Sequence, residues 1–261
     1  GLTALTVSAL TTMNCTTEKV DAAYIGPSQI EIQDGNMTPE VLLSLGRRSD
    51  PQLSPDGKTI LYGVSYTSIE ENRSCRNLFI VNADGTSPRQ LTKDGKSISC
   101  ARWIDGGKAI AYIQVGQIWK ATTRGLSGDN PKLVKRTKLS DVPNGVGEFK
   151  ISPDETKIMY VSYIHSDVKT PKDTDPKLDK ARAYVAEDLM YRHWDHWVTE
   201  LPHTFIADFG EGISPEKSID ILASEDKLYE LPTEPFGGME QLDWSPDGKY
   251  IAYSCKKKAG K

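Results

Sequence analysis

The chain has 261 residues, 38% of them hydrophobic and 26% charged, which is the composition of a folded protein long enough to bury a sizeable core. Thirty-two basic residues against 36 acidic ones give a formal charge of −4, and this balance excludes a general electrostatic footprint for nucleic acid. We therefore expect no nucleic-acid partner. The four cysteines lack metal-ligand spacing, and we expect no metal and no other cofactor. Cys75 and Cys100 are either a disulfide or two buried thiols.

Residues 1–37 are interpreted as an export leader followed by a tether. Apolar side chains are concentrated between Leu2 and Leu10, and no charge occurs before Glu18. This stretch is too short to span a bilayer but fits the hydrophobic region of an export signal. Cys15 follows it and precedes a polar segment, which resembles a bacterial lipoprotein signal whose cysteine is lipidated. We therefore predict an exported protein, either periplasmic or anchored by lipid at Cys15 to a membrane of a bacterial envelope.

A short helix is predicted next, over 38–46. Thr38 suits the N-cap, Pro39 suits the first helical position and Gly46 suits the stop. The units of the main domain begin after it.

One phrase then recurs through the chain. Ser-Pro-Asp-Gly-Lys stands at 54–58 and 245–249, Ser-Pro-Asp-Glu-Thr-Lys at 152–157, and a worn copy, Ile-Asp-Gly-Gly-Lys, at 104–108. Proline pre-sets the turn, aspartate bonds its own backbone and glycine accepts the positive φ that follows, so each copy predicts a hairpin between two short strands. The tyrosines that follow are separated by 50, 48 and 93 residues. A period of about 40–50 residues with four short strands per unit is typical of a β-propeller.

The predicted strands of the first two units are apolar at consecutive positions, as in 60–64, which indicates burial on both faces between neighbouring blades. They lie at 52–54, 59–66, 77–81 and 89–92 in the first unit, and at 99–103, 109–114, 117–120 and 132–134 in the second.

The third unit departs from this pattern after strands at 148–152 and 157–164. A polar loop at 165–176 is followed by apolar residues at helical spacing, which predicts an inserted helix over 178–197. The blade resumes as an edge-type strand at 203–209.

A long loop over 210–238 leads to the fourth unit, which opens at 241–244. We therefore predict an all-β fold, a partial β-propeller of about three and a half four-stranded blades over 38–261, with one inserted helix near 178–197. That number of blades does not close a ring and leaves strand edges open, so the sequence is expected to be a fragment of a larger propeller.

Sequence signatures of catalysis do not occur. Gly-x-Ser-x-Gly, His-Glu-x-x-His, the P-loop and the dinucleotide fingerprint are all missing from the sequence. The four histidines, at 165, 193, 196 and 203, lack the further convergent ligands that zinc requires. This chain alone is therefore predicted not to be catalytic.

Candidate binding residues lie on the predicted helix. Asp188, Arg192 and Asp195 fall at i, i+4 and i+7 and share one face. One interpretation is a solvated ladder of ion pairs, which contributes little to stability. The alternative is that Glu187, Asp188 and Arg192 project toward a ligand, where acidic side chains suit the cationic N-terminus of a peptide substrate.

The repeated Ser-Pro-Asp-Gly-Lys blades and the segment Tyr-Val-Ala-Glu-Asp-Leu-Met-Tyr-Arg-His-Trp-Asp at 184–195 resemble the N-terminal propeller of the prolyl oligopeptidase family, above all its bacterial dipeptidyl and acylaminoacyl peptidases. The resemblance covers 38–261. It implies a propeller that caps an α/β-hydrolase domain and filters substrates by size. The family's serine, aspartate and histidine belong to that C-terminal domain, which this sequence lacks. Some members hold the peptide amino group with a glutamate pair, and Glu187-Asp188 is similar in placement.

Two functions follow from these features. The first is the substrate-gating propeller portion of an exported serine exopeptidase, of dipeptidyl or acylaminoacyl type, whose partners are a peptide substrate and the missing hydrolase domain. The second is a non-enzymatic binding propeller, periplasmic or lipid-anchored, that resembles the propeller of the Tol complex. The predicted inserted helix favours the first function, because a pure scaffold has no need for it.

Overall fold

The computed structural model describes residues 21–256 apart from 31, 33, 167, 186–191, 194–195 and 226–228. These ranges are nearly all β-structure, with two short α-helices, α1 (Pro39–Ser44) and α2 (Pro171–Thr174), and 3-10 turns at Asp105–Gly107, Pro176–Leu178, Pro215–Lys217 and Met239–Gln241. The strands are β1 (Arg47–Leu53), β2 (Thr59–Ser68), β3 (Arg73–Asn82), β4 (Arg89–Gln90), β5 (Ile98–Ile104), β6 (Ala109–Gln114), β7 (Gln117–Arg124), β8 (Lys132–Lys138), β9 (Phe149–Ile151), β10 (Lys157–His165), β11 (Arg192–His193), β12 (His196–Trp197), β13 (Glu200–Asp208), β14 (Ile219–Asp220), β15 (Leu242–Trp244) and β16 (Ile251–Tyr253).

Three of the sheets are four-stranded and antiparallel, in the orders β1-β2-β3-β4, β5-β6-β7-β8 and β9-β10-β13-β14. β15 and β16 pair as a fourth sheet with two strands, and β11 pairs with β12 in a separate hairpin between β10 and β13. These sheets are blades one to four of a partial β-propeller. The predicted all-β fold of three and a half blades is confirmed, and so is the short helix α1, whose N-cap is Thr38.

The recurring phrase forms the turn between the first two strands of its blade. In blade one the Ser54 hydroxyl donates to Asp56 Oδ1 at 2.6 Å and accepts the Thr59 amide at 2.9 Å. The same two bonds recur in blades three and four. Gly57 has a φ of 72°, and Glu155, its counterpart in blade three, has 55°. All these contacts lie within six residues, so the turn forms from local sequence.

Each blade interior is buried on both faces, as β6 shows most clearly. Ile110 and Tyr112 belong to a core cluster shared with blade one, while Ala111 and Ile113 belong to a cluster shared with blade three. A third cluster lies between blades three and four. The consecutive apolar runs in the sequence therefore reflect sheets packed between sheets, as predicted.

Indole side chains join the inner strands of adjacent blades. Trp103, the penultimate residue of the inner strand of blade two, donates from Nε1 to the carbonyl of Gln52 in blade one at 3.1 Å. Trp244 occupies the same place in blade four and donates to the carbonyl of Lys150 in blade three at 3.3 Å. Ile151 occupies this place in blade three and has no donor to offer. Two of the three junctions are thus bonded in the same way.

The predicted helix over 178–197 is wrong for the residues that the structure describes. Leu178 ends a 3-10 turn, no helix occurs over 181–185, and Arg192 pairs with Trp197 in the hairpin of β11 and β12. Residues 186–191 and 194–195 lie outside the described ranges. Histidine, tryptophan, tyrosine and valine are modest helix formers, so spacing alone was a weak guide in this stretch.

The segment that follows the predicted leader docks against blade one. Asp21 Oδ2 accepts the Gly95 amide at 3.0 Å, and the Tyr24 hydroxyl bonds with the Gln90 side chain. Gly95 permits this close approach, because a Cβ there would lie 2.6 Å from that of Ala23. Part of the predicted tether is therefore fixed to the outer edge of the blade.

Cys75 and Cys100 are free thiols and do not form a disulfide. The Cys75 thiol contacts the carbonyl of Asp94 at 3.2 Å, and the Cys100 thiol contacts that of Phe149 at 3.5 Å. Among the described residues, no helix has the length and apolar character needed to cross a membrane.

Candidate functional site

Glu187, Asp188 and Cys15 lie outside the residues that the structure describes. Arg192 is described through its backbone, which pairs with Trp197. The structure therefore does not test the predicted binding set or the predicted lipidation. It does define where the segment carrying Glu187 and Asp188 leaves the blade and where it returns.

This segment, 166–199, is an excursion between β10 and β13. Its ends are bonded to each other, because the Ser166 amide donates to the carbonyl of Thr199 at 2.9 Å and its hydroxyl to that of Val198 at 3.1 Å. Further out, Lys169 and Val185 form an isolated antiparallel bridge. The excursion is thus anchored at the end of blade three where β10 finishes and β13 begins.

Acidic side chains surround Tyr163 at this end of the blade. The Tyr163 hydroxyl donates to Glu234 Oε1 at 2.8 Å. Burial first, then the hydrogen bond to Glu234 and the charges of nearby carboxylates, raise the pKa of Tyr163 to about 12. The carboxylates are Glu234, Glu148 and Glu200. The phenol therefore stays protonated and holds Glu234 in place, while the surrounding potential is negative and favours a cation.

The backbone positions each of these acidic groups. Glu200 begins β13 and pairs in register with His165, and Glu148 immediately precedes β9. Glu148 Oε2 accepts the Met239 amide at 2.9 Å, which ties it to the loop before blade four. Sequence analysis did not single out Tyr163 or these glutamates, because they are distant in sequence and become neighbours through strand pairing. The flanking of β9 and β13 by glutamate was the one available signal.

A second polar group, His203 with Asp220, is buried within blade three. His203 Nδ1 lies 2.8 Å from Asp220 Oδ2, and the ring is 3% exposed. Its Nε2 has no hydrogen-bond partner among the described residues. The carboxylate fixes the orientation of the ring, but no hydroxyl or thiol in the described ranges bonds to Nε2. This pair therefore lacks the nucleophile that a catalytic triad needs.

No three histidine, cysteine, aspartate or glutamate side chains converge as a metal site in the part of the chain that the structure covers. The chemistry available at the end of blade three is thus that of carboxylates and a phenol. Such groups bind cations and hydrogen-bond donors.

No family model matches the chain. The chain is 37% identical over 242 residues to dipeptidyl-peptidase 5 of Porphyromonas gingivalis, covering 92% of this chain and 34% of that protein. It is 36% identical over 239 residues to dipeptidyl-peptidase 5 of Porphyromonas endodontalis, with coverages of 90% and 33%. The Aspergillus fumigatus protein of the same name is 26% identical over 241 residues, with coverages of 84% and 32%.

Among solved structures, Pyrococcus horikoshii acylaminoacyl peptidase overlaps 64% of this chain and 24% of its own, with a TM-score of 0.40 and 20% identity. That likeness is too distant to bear on function. The chain spans about a third of the length of the curated relatives that it matches. Over nearly its whole length, this partial propeller is therefore similar to a part of peptidases named dipeptidyl-peptidase 5.

Proposed function

We propose that this chain is the substrate-gating propeller portion of an exported serine exopeptidase that hydrolyses short peptides, of dipeptidyl or acylaminoacyl type. The observation that carries the proposal is the 37% identity with dipeptidyl-peptidase 5 across 92% of this chain. A sequence match of this length and identity spans the blades and the excursion together, so it is not a match to the repeated turn alone.

The geometry at the end of blade three agrees with recognition of a peptide amino group. The excursion that carries Glu187 and Asp188 is anchored beside Tyr163 and Glu234. A peptide's ammonium group is stabilised by carboxylates that are already held in position, since little reorganisation is needed on binding. In this proposal the propeller supplies recognition, and the Ser-His-Asp chemistry belongs to a hydrolase domain that follows it.

The proposal includes export and a lipid tether at Cys15. The apolar stretch before that cysteine and the polar stretch after it support this part. Periplasmic location without the lipid is the alternative.

The coding sequence beyond Lys261 tests the central proposal directly. Further blades followed by Gly-x-Ser-x-Gly in a strand-turn-helix context are expected. A stop codon after Lys261 in the native gene would instead leave a propeller without a nucleophile and would contradict the peptidase assignment.

Replacing the acidic pair in the full-length enzyme tests recognition. Glu187→Gln or Asp188→Asn keeps the side-chain shape and removes one charge. If the pair holds the substrate's ammonium, kcat/KM for a free-amine dipeptide substrate should fall by roughly 10- to 150-fold, as expected for loss of a charge-assisted hydrogen bond.

Two controls separate recognition from damage to the fold. An N-acylated substrate has no ammonium, so its kcat/KM should change little in either variant. Asp179→Asn removes an exposed carboxylate from the same excursion and should leave both substrates unaffected. An equal loss of kcat/KM on both substrates would mean that Glu187 and Asp188 do not bind the ammonium group and belong to an ordinary solvated surface.

A further inference from the structure

A polar groove opens between blades one and two, at the end where the repeated turns lie. It has a volume of about 750 Å³ and is lined by the turns at 54–59, 82–84, 106–107 and 125–127, with Trp103 beside them. We call it the interblade groove. Its volume falls within the range of roughly 300–1,000 Å³ that small-molecule sites occupy.

The groove lies beside the degenerate copy of the repeat in blade two. Gly106 stands where the intact copies have the turn aspartate, and a Cβ there would meet nothing within 4 Å. At the next junction, side chains cross the corresponding gap, since the Glu155 carboxylate accepts the Asp105 amide at 3.0 Å. Gly248 in blade four aligns with Gly107, and the space at these two glycines is similar, since a Cβ would lie 3.6 Å from Asp154 Oδ1 at Gly248 and 3.4 Å from Pro55 Cδ at Gly107. The opening beside Gly106 has a volume of about 750 Å³, whereas the cavity beside the turn at 152–155 has about 350 Å³.

Contacts outside the groove join its walls to each other. Arg89 donates from Nη2 to Asn82 Oδ1 at 2.8 Å and from Nη1 to the carbonyl of Leu126 at 2.8 Å, joining a loop of blade one to a loop of blade two. On the opposite side, Pro55 Cδ lies 3.4 Å from where a Cβ of Gly107 would be. A site that is already in place loses little conformational entropy when a ligand binds.

Hydrogen-bonding groups of both kinds remain available in the groove. Asp56 and Asp84 use Oδ1 for their own turns, and Oδ2 of each accepts no hydrogen bond from the described residues. Bonds from turn hydroxyls and amides lower the pKa of both carboxyls, so they are ionised at neutral pH. The Lys58 ammonium makes no ion pair with any residue that the structure covers, and Ser127 is exposed.

We infer that the interblade groove is a binding site for a neutral saccharide. Sugar hydroxyls both donate and accept, which matches carboxylate oxygens, an ammonium and a hydroxyl set around one opening. The C–H face of a pyranose packs on an aromatic ring such as that of Trp103. Gly106 and Gly107 line the groove without side chains, so the sugar can approach their backbone closely. This site is separate from the proposed peptide site at the end of blade three and does not depend on the peptidase assignment.

Calorimetric titration with chitotriose and maltotriose tests this inference. At least one should bind with a Kd on the order of 1 mM, as expected for an open site with few contacts. Asp56→Asn and Asp84→Asn should each weaken binding about tenfold or more, because a hydrogen bond to a charged acceptor is lost. Gly106→Asn restores a side chain at the worn position, in a conformation that asparagine tolerates, and should abolish binding.

Asp247→Asn is the matched control. Asp247 makes the same turn bonds as Asp56 but lies in blade four, away from the groove. The Asp247→Asn variant should bind saccharide with the same Kd as the unmodified chain and should have the same melting temperature as the Asp56→Asn variant. Equal weakening by both variants, tighter binding of trilysine than of either saccharide, or no saccharide binding up to about 20 mM would each overturn the inference.

Discussion

The pKa values of several tyrosines are raised by their surroundings in the fold, and Tyr163 is the clearest case. Burial of Tyr163, its hydrogen bond to Glu234 and the charges of nearby carboxylates raise the pKa of Tyr163 to about 12, so its proton is retained well above the ordinary range. Burial similarly raises the pKa of Tyr112 and of Tyr160, which lie in the cores between blades. The folded chain therefore keeps several phenols protonated at pH values where an unfolded chain ionises them.

Stability should consequently fall in alkali. The unfolded tyrosine loses its proton near pH 10 and folded Tyr163 near pH 12, so the unfolded state binds fewer protons between these values and the free energy of unfolding decreases as pH rises through them. Tyr163→Phe removes one titrating group and should make this decrease shallower. Urea unfolding at a series of pH values between about 9 and 11 measures the slope.

Tyr250→Phe provides the comparison, because Tyr250 is 72% exposed. Its slope should equal that of the unmodified chain. An unchanged slope in Tyr163→Phe as well would mean that neither burial nor the nearby carboxylates raise the pKa of Tyr163.

Much at this scale could be predicted from sequence, and some of it could not. The serine, aspartate and glycine of each turn act on partners within six residues, so their roles follow from the phrase itself. The association of Tyr163 with Glu234 spans 71 residues and depends on a loop that has no pattern. Long-range pairs of this kind become visible once strand register is known.

At the level of elements, blade junctions are of two kinds. Blades one and two, and blades three and four, are joined by an indole bond between inner strands, while blades two and three rely on an apolar cluster and the Glu155 contact. Arg102 adds an ion pair to Asp50 at 2.8 Å at the first junction, and Lys150 reaches Asp243 at 3.4 Å at the third.

Removal of one indole N–H should loosen one junction. Trp244→Phe keeps an aromatic side chain of smaller size and leaves the carbonyl of Lys150 without its indole donor, so loss of the hydrogen bond alone should lower the free energy of unfolding by about 0.5–1.5 kcal/mol. Hydrogen exchange should accelerate in β15 and β9, on both sides of the junction.

Trp119→Phe is the matched change within a blade, because its indole donates to the carbonyl of Gln114 in the same sheet. It should lower stability by a similar amount without faster exchange at the junction of blades three and four. Identical exchange patterns in the two variants would contradict the role assigned to Trp244.

The elements that sequence analysis missed are those set by distant partners. β14 has two residues and forms because it pairs with β13. The sequence of the loop predicted over 210–238 therefore contains no pattern that indicates this strand. The stretch near 192–197 has apolar residues at intervals of three and four, which a short hairpin also accommodates. The main strands, by contrast, were predicted to within a few residues because turn and apolar run occur together.

At the scale of the whole molecule, the ring of blades is open. Leu53 on β1 is 59% exposed, and Tyr253 on β16 is 45% exposed, at the two ends of the series of blades. The counterparts of Leu53 in blades two and three, Trp103 and Ile151, are partly buried, and those of Tyr253, Tyr112 and Tyr160, are fully buried. The repeat in the sequence predicted the number of blades, because each phrase marks one.

Anchoring of the whole molecule rests on Cys15 in our proposal. The protein expressed with its intact leader should partition into the detergent phase, and Cys15→Ser should move to the aqueous phase. Equal partitioning of the two forms would remove the lipid tether and leave a periplasmic protein.

The docking of Asp21 to Gly95 limits how far such an anchor would let the molecule stand from the bilayer. Five residues lie between Cys15 and Asp21, and a fully extended chain over these six steps reaches at most about 20 Å. The outer edge of blade one would then lie against the lipid headgroups. The short tether would allow the molecule to rotate about this edge but not to move far from the membrane. The distance of the molecule from the membrane and its orientation would both depend on the contacts that dock this segment, those of Asp21 with Gly95 and of Tyr24 with Gln90.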